Sequence, residues 1–133
     1  REYPWGSADP GTGNEYAIHG DQNGNCDYPS FGPCTGATNI APVGTTTRGA
    51  GLWGNLDLAG NVLEWNMDQD SYDYVDPCAD CANFTETGVL GARRMVGGGN
   101  FEDIGAALFV TSGVTSPQTE RQIDIGFRCA GVP

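Results

Sequence analysis

"LDLAGNVLEW", residues 56 to 65, runs Leu56, Leu58, Ala59, Val62, Leu63 and Trp65 past Asn61 and Glu64, which sit in the middle of the apolar stretch. A carboxylate among large apolar side chains must be paired, hydrogen-bonded or bound to a cation, because burying it alone costs several kcal/mol or more. Three solutions are open to Glu64. It caps backbone amides, it pairs with Arg48 or Arg94, or it ligates a hard cation that gathers several oxygens.

The composition around that stretch describes a loop-rich body. The chain has 133 residues, enough for one domain with a real core. Its 21 glycines and 8 prolines, with 38% hydrophobic residues, argue against a helical bundle. Seventeen acidic residues oppose six basic ones, all arginine, for a formal net charge of -11. Such a surface repels phosphate backbones and anionic lipid, so no nucleic acid is expected as a partner. No apolar run approaches the length of a membrane span. The acids concentrate in "NMDQDSYDYVDPCAD", residues 66 to 80, as a solvated loop or as a segment whose repulsion a divalent cation relieves.

Cys26 and Cys34 flank a turn-rich segment, Cys78 and Cys81 form a short C-A-D-C, and Cys129 has no neighbour. Local disulfides in an oxidising, extracytoplasmic compartment suit these spacings. Structural zinc lacks a second ligand pair, His19 being the single histidine. A thioredoxin-type motif requires a strand-to-helix setting, whereas the Asp, Pro and Asn around C-A-D-C indicate a loop. The odd Cys129 and the abrupt start on Arg1 suggest a single domain over residues 1–133 whose N-terminal portion is missing from this stretch.

"DQNGNCD", residues 21 to 27, places Asp21, Asn23, Asn25 and Asp27 at alternating positions, as the first ligands of an EF-hand are. Cys26 stands where that loop requires Gly, and Gly32 where it requires a bidentate Glu, so this is no EF-hand. The stretch is either an irregular calcium-wrapping loop or a turn built by Asp and Asn without an ion. Beyond Gly88, "GVLGARRMVGGGNF", "ALFVTSGV" and "IDIGFRCAG" are short strand-like segments separated by turns. The expected fold is α+β, irregular and loop-rich, with a small antiparallel sheet and few helices. Trp5, Trp53, Trp65, Phe101, Phe109 and Phe127 are the expected core aromatics, and His19 the expected surface histidine.

"YPWG" (3–6), "APVG" (41–44), "GLWGNLDLAGNVLEW" (51–65), "RRMVGGGNF" (93–101) and "IGFRCA" (125–130) occur in an order that resembles the formylglycine-generating enzyme, or sulfatase-modifying factor, family. The resemblance implies a C-type-lectin-like fold. It also implies a structural calcium on Asn61, the Val62 carbonyl, Glu64 and Asn66, with Asn25 the nearest survivor of another calcium site. By the same resemblance Cys129 pairs with a cysteine outside this stretch, and Arg128 is a buried structural arginine.

Active members of that family carry two cysteines after the glycine-rich motif, and these bind copper. Here "EDIGAALFVTSGV" contains none, and the thiol positions fall on or near Asp103 and Leu108. Neither side chain supplies the soft thiolate that copper(I) requires, so no copper is expected. Glu102 and Asp103 are adjacent, and on a strand they would point to opposite faces. The expectation is therefore a non-catalytic module of an extracytoplasmic protein, recognising a protein, peptide or glycan or serving a structural role, with its own N-terminal segment or another chain as a further partner. The alternative is an enzyme of altered chemistry on the same scaffold, such as a metal-dependent oxidase or a divergent formylglycine-generating enzyme.

Overall fold

"LEWNMDQ" alternates Leu, Trp and Met with Glu, Asn and Asp, the period-two pattern of a strand with one drier face. It forms the longest strand in the computed structural model, which describes residues 1–69 and 93–129 together with Pro77, Ala79 and Ala82. In chain order the strands are β1 (Asn25–Cys26), β2 (Gly32–Pro33), β3 (Leu63–Gln69), β4 (Arg93–Gly97), β5 (Gly113–Pro117) and β6 (Ile125–Gly126). The sheet order β5-β4-β3-β6 puts β3 between an antiparallel neighbour, through Trp65 opposite Val96, and a parallel one, through Leu63 opposite Ile125. Its register against β4 shifts between Trp65 and Gln69.

The four-stranded sheet is thus mixed, because β6 returns alongside β3 in the same direction. A separate antiparallel ladder joins β1 to β2, and the Cys26–Cys34 disulfide spans it with Cα atoms 5.0 Å apart. Helical structure among the described residues is limited to 3₁₀ turns at Ala37–Asn39 and Gly105–Leu108. The second turn and the bend after it occupy most of "ALFVTSGV", whose strand begins only at Gly113.

The core divides into neighbouring clusters. Tyr3, Ala17, Ala59 and Leu108 form one, with Trp5 and Phe109 packed against it, and the Tyr3 and Trp5 rings stack at 4.9 Å. Ile18, Cys26, Ala41 and Phe101 form the other, against Tyr28, Cys34 and Ile40. The adjacent residues Ala17 and Ile18 connect them, and the backbone of Gly60 lies close against Ile18. A Cβ on Gly60 would stand 2.3 Å from the Ile18 carbonyl oxygen, and its φ is +78°, so only glycine fits this crossing.

Phe101 is fully buried, as expected, but Trp53 and Phe127 are 87% and 77% exposed. Trp53 rides on a tight turn in which Gly51 donates to Asn55 at 2.8 Å, and Phe127 follows a strand of only two residues. Both are held by backbone bonding that leaves the ring outside. The acidic run from Asp70 to Asp80 and the Cys78–Cys81 pairing lie outside the described residues. No helix among the described residues is long and apolar enough to cross a membrane.

Cys26 is fully buried and its disulfide closes a short loop onto the second cluster. The double variant Cys26→Ala/Cys34→Ala is expected to lose about 2–3 kcal/mol in urea unfolding, from the freed chain and the lost packing. A loss under about 0.5 kcal/mol would show that the β1–β2 ladder holds without it.

Candidate functional site

Asn61 adopts a left-handed conformation, φ +68°, which Asn tolerates better than other side-chain-bearing residues. In that conformation its amide N–H donates to the Ile18 carbonyl at 2.8 Å, and its carbonyl accepts from the Phe101 N–H at 3.0 Å. The side chain closes a two-way bridge to Ala41, Oδ1 accepting from the backbone N–H at 2.8 Å and Nδ2 donating to the carbonyl at 3.1 Å. One residue therefore ties the chain at 18, 41 and 101 into the second cluster.

Glu64 is held by an arginine 64 positions away. Arg128 Nη2 donates to Oε1 at 2.9 Å and Nε to Oε2 at 3.1 Å, a two-pronged contact that raises the Arg128 pKa above its ordinary value. The same guanidinium donates to the Leu56 carbonyl at 3.0 Å and to the Asp57 carbonyl at 2.5 Å. The expected partners are engaged elsewhere: Arg48 on Glu15 at 2.6 Å, and Arg94 on the Met67 carbonyl. Arg128 is also less buried than expected, its side chain 36% exposed.

Asn61, Val62 and Glu64 border one cavity of about 290 Å³ together with Asp57 and Arg128, whereas Asn66 lines a different groove. Both Glu64 oxygens and Asn61 Oδ1 already accept hydrogen bonds from the protein. The guanidinium thus occupies the Glu64 carboxylate, and Asn66 stands apart from the other three residues. Asp57 is itself committed, accepting from the Gly44 N–H at 2.6 Å and from the Thr46 hydroxyl at 2.8 Å.

The "DQNGNCD" residues separate in a similar manner. Asp21 accepts from the backbone N–H groups of Asn23 and Asn25 at 2.8 and 2.9 Å, and from their side-chain nitrogens at 3.3 and 3.0 Å. These hydrogen bonds hold its carboxyl down at about 2. Asn23 and Asn25 thus turn nitrogens rather than oxygens toward it. Asp27 is buried on another side, its Oδ2 3.2 Å from His19 Nε2, and burial pushes its carboxyl up against the opposing effect of His19. His19 is buried rather than on the surface, its ring nitrogens 2.8 and 3.0 Å from the Gly20 and Gly11 carbonyls.

The segment after "GGGNF" turns instead of running as a strand. Asn100 organises it: Oδ1 accepts from the N–H groups of Glu102 and Asp103 at 2.8 and 3.0 Å, and Nδ2 donates to Asp124 at 2.9 Å. Asp103 returns a bond, Oδ2 accepting from the Asn100 N–H at 2.9 Å, and its carbonyl accepts from the Gly20 N–H at 2.8 Å. Asp103 lines a cavity of about 400 Å³ with Leu63, Asn100, Ala107, Thr111 and Ser112. Leu108 does not reach it, being 1% exposed in the first core cluster. Cys129 is an exposed free thiol, and no group of three or more His, Cys, Asp or Glu among the described residues is placed to hold a metal.

The Asn100 hub was missed in the sequence, although an Asn after consecutive glycines is a recognisable turn signal. The sulfatase-modifying factor enzyme 1-like domain matches residues 1–132. The chain belongs to that family. Comparisons with curated proteins and with solved structures give no match. The cavity beside Asn100 presents a carboxylate and hydroxyls, those of Asp103, Thr111 and Ser112.

Asn61→Gly keeps the left-handed conformation and loses the Ala41 bridge, while Asn61→Ala loses both. Thermal and urea melts are expected to show losses of about 2 kcal/mol for Gly and about 1 kcal/mol more for Ala. Equal stability of Ala and Gly would contradict the assigned backbone role. Asp21 carries the pH signature: an acid held below its ordinary 3.8 stabilises the fold above that range and loses the contribution as pH falls toward about 2. Asp21→Asn is expected to be less stable than the parent at pH 7, with the difference shrinking between pH 4 and 2. A difference constant with pH would mean that the Asp21 carboxylate does not hold the loop.

Proposed function

We propose that this family member is a non-catalytic recognition or structural module of an extracytoplasmic protein. What supports the reading is that the thiol positions, which by the resemblance fall on or near Asp103 and Leu108, lie at a carboxylate bordering the cavity and at a core side chain. Oxidation of a sulfatase cysteine by copper needs paired soft ligands, and a carboxylate with a buried aliphatic group is the wrong donor set. The scaffold around the missing chemistry is kept: Asn61, Gly60 and Phe101 still lock the crossing of the chain, and a cavity remains. A retained scaffold with altered loop chemistry suits binding of a protein, peptide or glycan.

The C-type-lectin-like character of the fold belongs to this reading, supported by the family match and by the small curled sheet with long loops. The Cys26–Cys34 disulfide supports an oxidising compartment. Glu64 enters as a structural residue, neutralised by Arg128.

The test is incubation of the copper(I)-treated protein with a sulfatase-derived cysteine peptide under oxygen, read by mass spectrometry. No aldehyde product above a protein-free control is expected. Aldehyde formed in proportion to protein concentration would overturn the non-catalytic reading.

A further inference from the structure

Apart from the cavity beside Asn100, the sheet carries a groove of about 410 Å³ lined by Trp65, Asn66, Met67, Arg94 and Gln118. Successive residues on a strand ordinarily face opposite ways. The register shift between Trp65 and Gln69 breaks that alternation, and a bulge of this kind re-aims side chains, so that consecutive β3 residues border one space. Asn66, Met67 and Gln118 are exposed, and Trp65 and Arg94 are half-buried.

The chemistry of the lining is specific. The Trp65 indole and the Met67 thioether are its apolar lining. Each carboxamide, Asn66 and Gln118, brings a donor and an acceptor. Arg94 supplies a guanidinium whose partner is the Met67 carbonyl, leaving donors directed at no carboxylate among the described residues. Arg48 and Arg128, by contrast, are matched to Glu15 and Glu64.

An aromatic wall, amides for hydroxyl groups and a guanidinium for an anion together describe an acidic sugar. The pyranose C–H face lies on the indole, neighbouring hydroxyls exchange hydrogen bonds with the amides, and a carboxylate meets the guanidinium. The net charge of -11 repels polyanions, which favours a ligand with a single negative charge over a polysulfated chain. We propose that the Trp65–Arg94 groove binds a saccharide carrying one carboxylate. A peptide C-terminus would satisfy Arg94 equally but leaves the paired amides without a role.

The experiment is ligand-observed NMR and calorimetric titration of the whole chain with the methyl glycosides of glucuronic, galacturonic and N-acetylneuraminic acids. Methyl glucoside and an N-acetylated dipeptide with a free carboxylate are the comparison probes. At least one acidic glycoside is expected to bind, at least ten times more tightly than the glucoside and the dipeptide. Arg94→Gln is expected to lower that affinity at least tenfold, and Asn66→Ala or Gln118→Ala severalfold. Arg121→Gln, which removes an exposed charge elsewhere, should leave it unchanged. Binding by none of the acidic glycosides, equal binding of the glucoside, preference for the dipeptide, or full affinity in Arg94→Gln would each overturn the assignment.

Discussion

The guanidinium of Arg128 is where distant parts of the chain are brought to one point. It reaches the carboxylate of Glu64 on β3 and the carbonyls of Leu56 and Asp57 in the loop before it, while following directly on the parallel pairing of β6 with β3. Asp57 extends the connection outward by binding Gly44 and Thr46. A planar fork with five donors suits this junction in a way that an ammonium on a flexible stem does not. Because both side chains remain partly solvated, at 36% and 26% exposure, the Coulomb part of the contact is screened and most of its value is geometric.

That junction also bears on function. Glu64 is answered by a side chain of the same chain. Asn61, three residues earlier, is spent on backbone contacts with Ile18, Ala41 and Phe101. The stretch from Leu56 to Trp65 is therefore framework. Around Phe101, Asn100 fixes a compact turn and Asp103 faces a cavity.

Much of this was legible in the residues. Phe101 is core, Cys26 pairs with Cys34, and the ordered motifs give the family, whereas Asn66 to Gln69, read with the acidic segment, belong to β3. What local sequence does not carry is long-range pairing. Nothing in the spacing of Glu64 and Arg128 announces a contact across 64 positions, nor that β6 runs parallel to β3. Size and hydrophobicity also misplaced Trp53 and Phe127, whose exposure follows from the turn and the short strand that carry them. His19 was misplaced for the converse reason: a Gly-rich loop supplies carbonyls that satisfy a buried ring.

The most direct test of the account is a double-mutant cycle on Glu64→Gln and Arg128→Gln, measured by urea unfolding with and without a calcium chelator. A coupling of about 1 kcal/mol or more, unchanged by chelator, is the predicted result. Negligible coupling, with a parent protein whose stability falls when calcium is removed, would contradict it and place a metal ion where Arg128 is assigned.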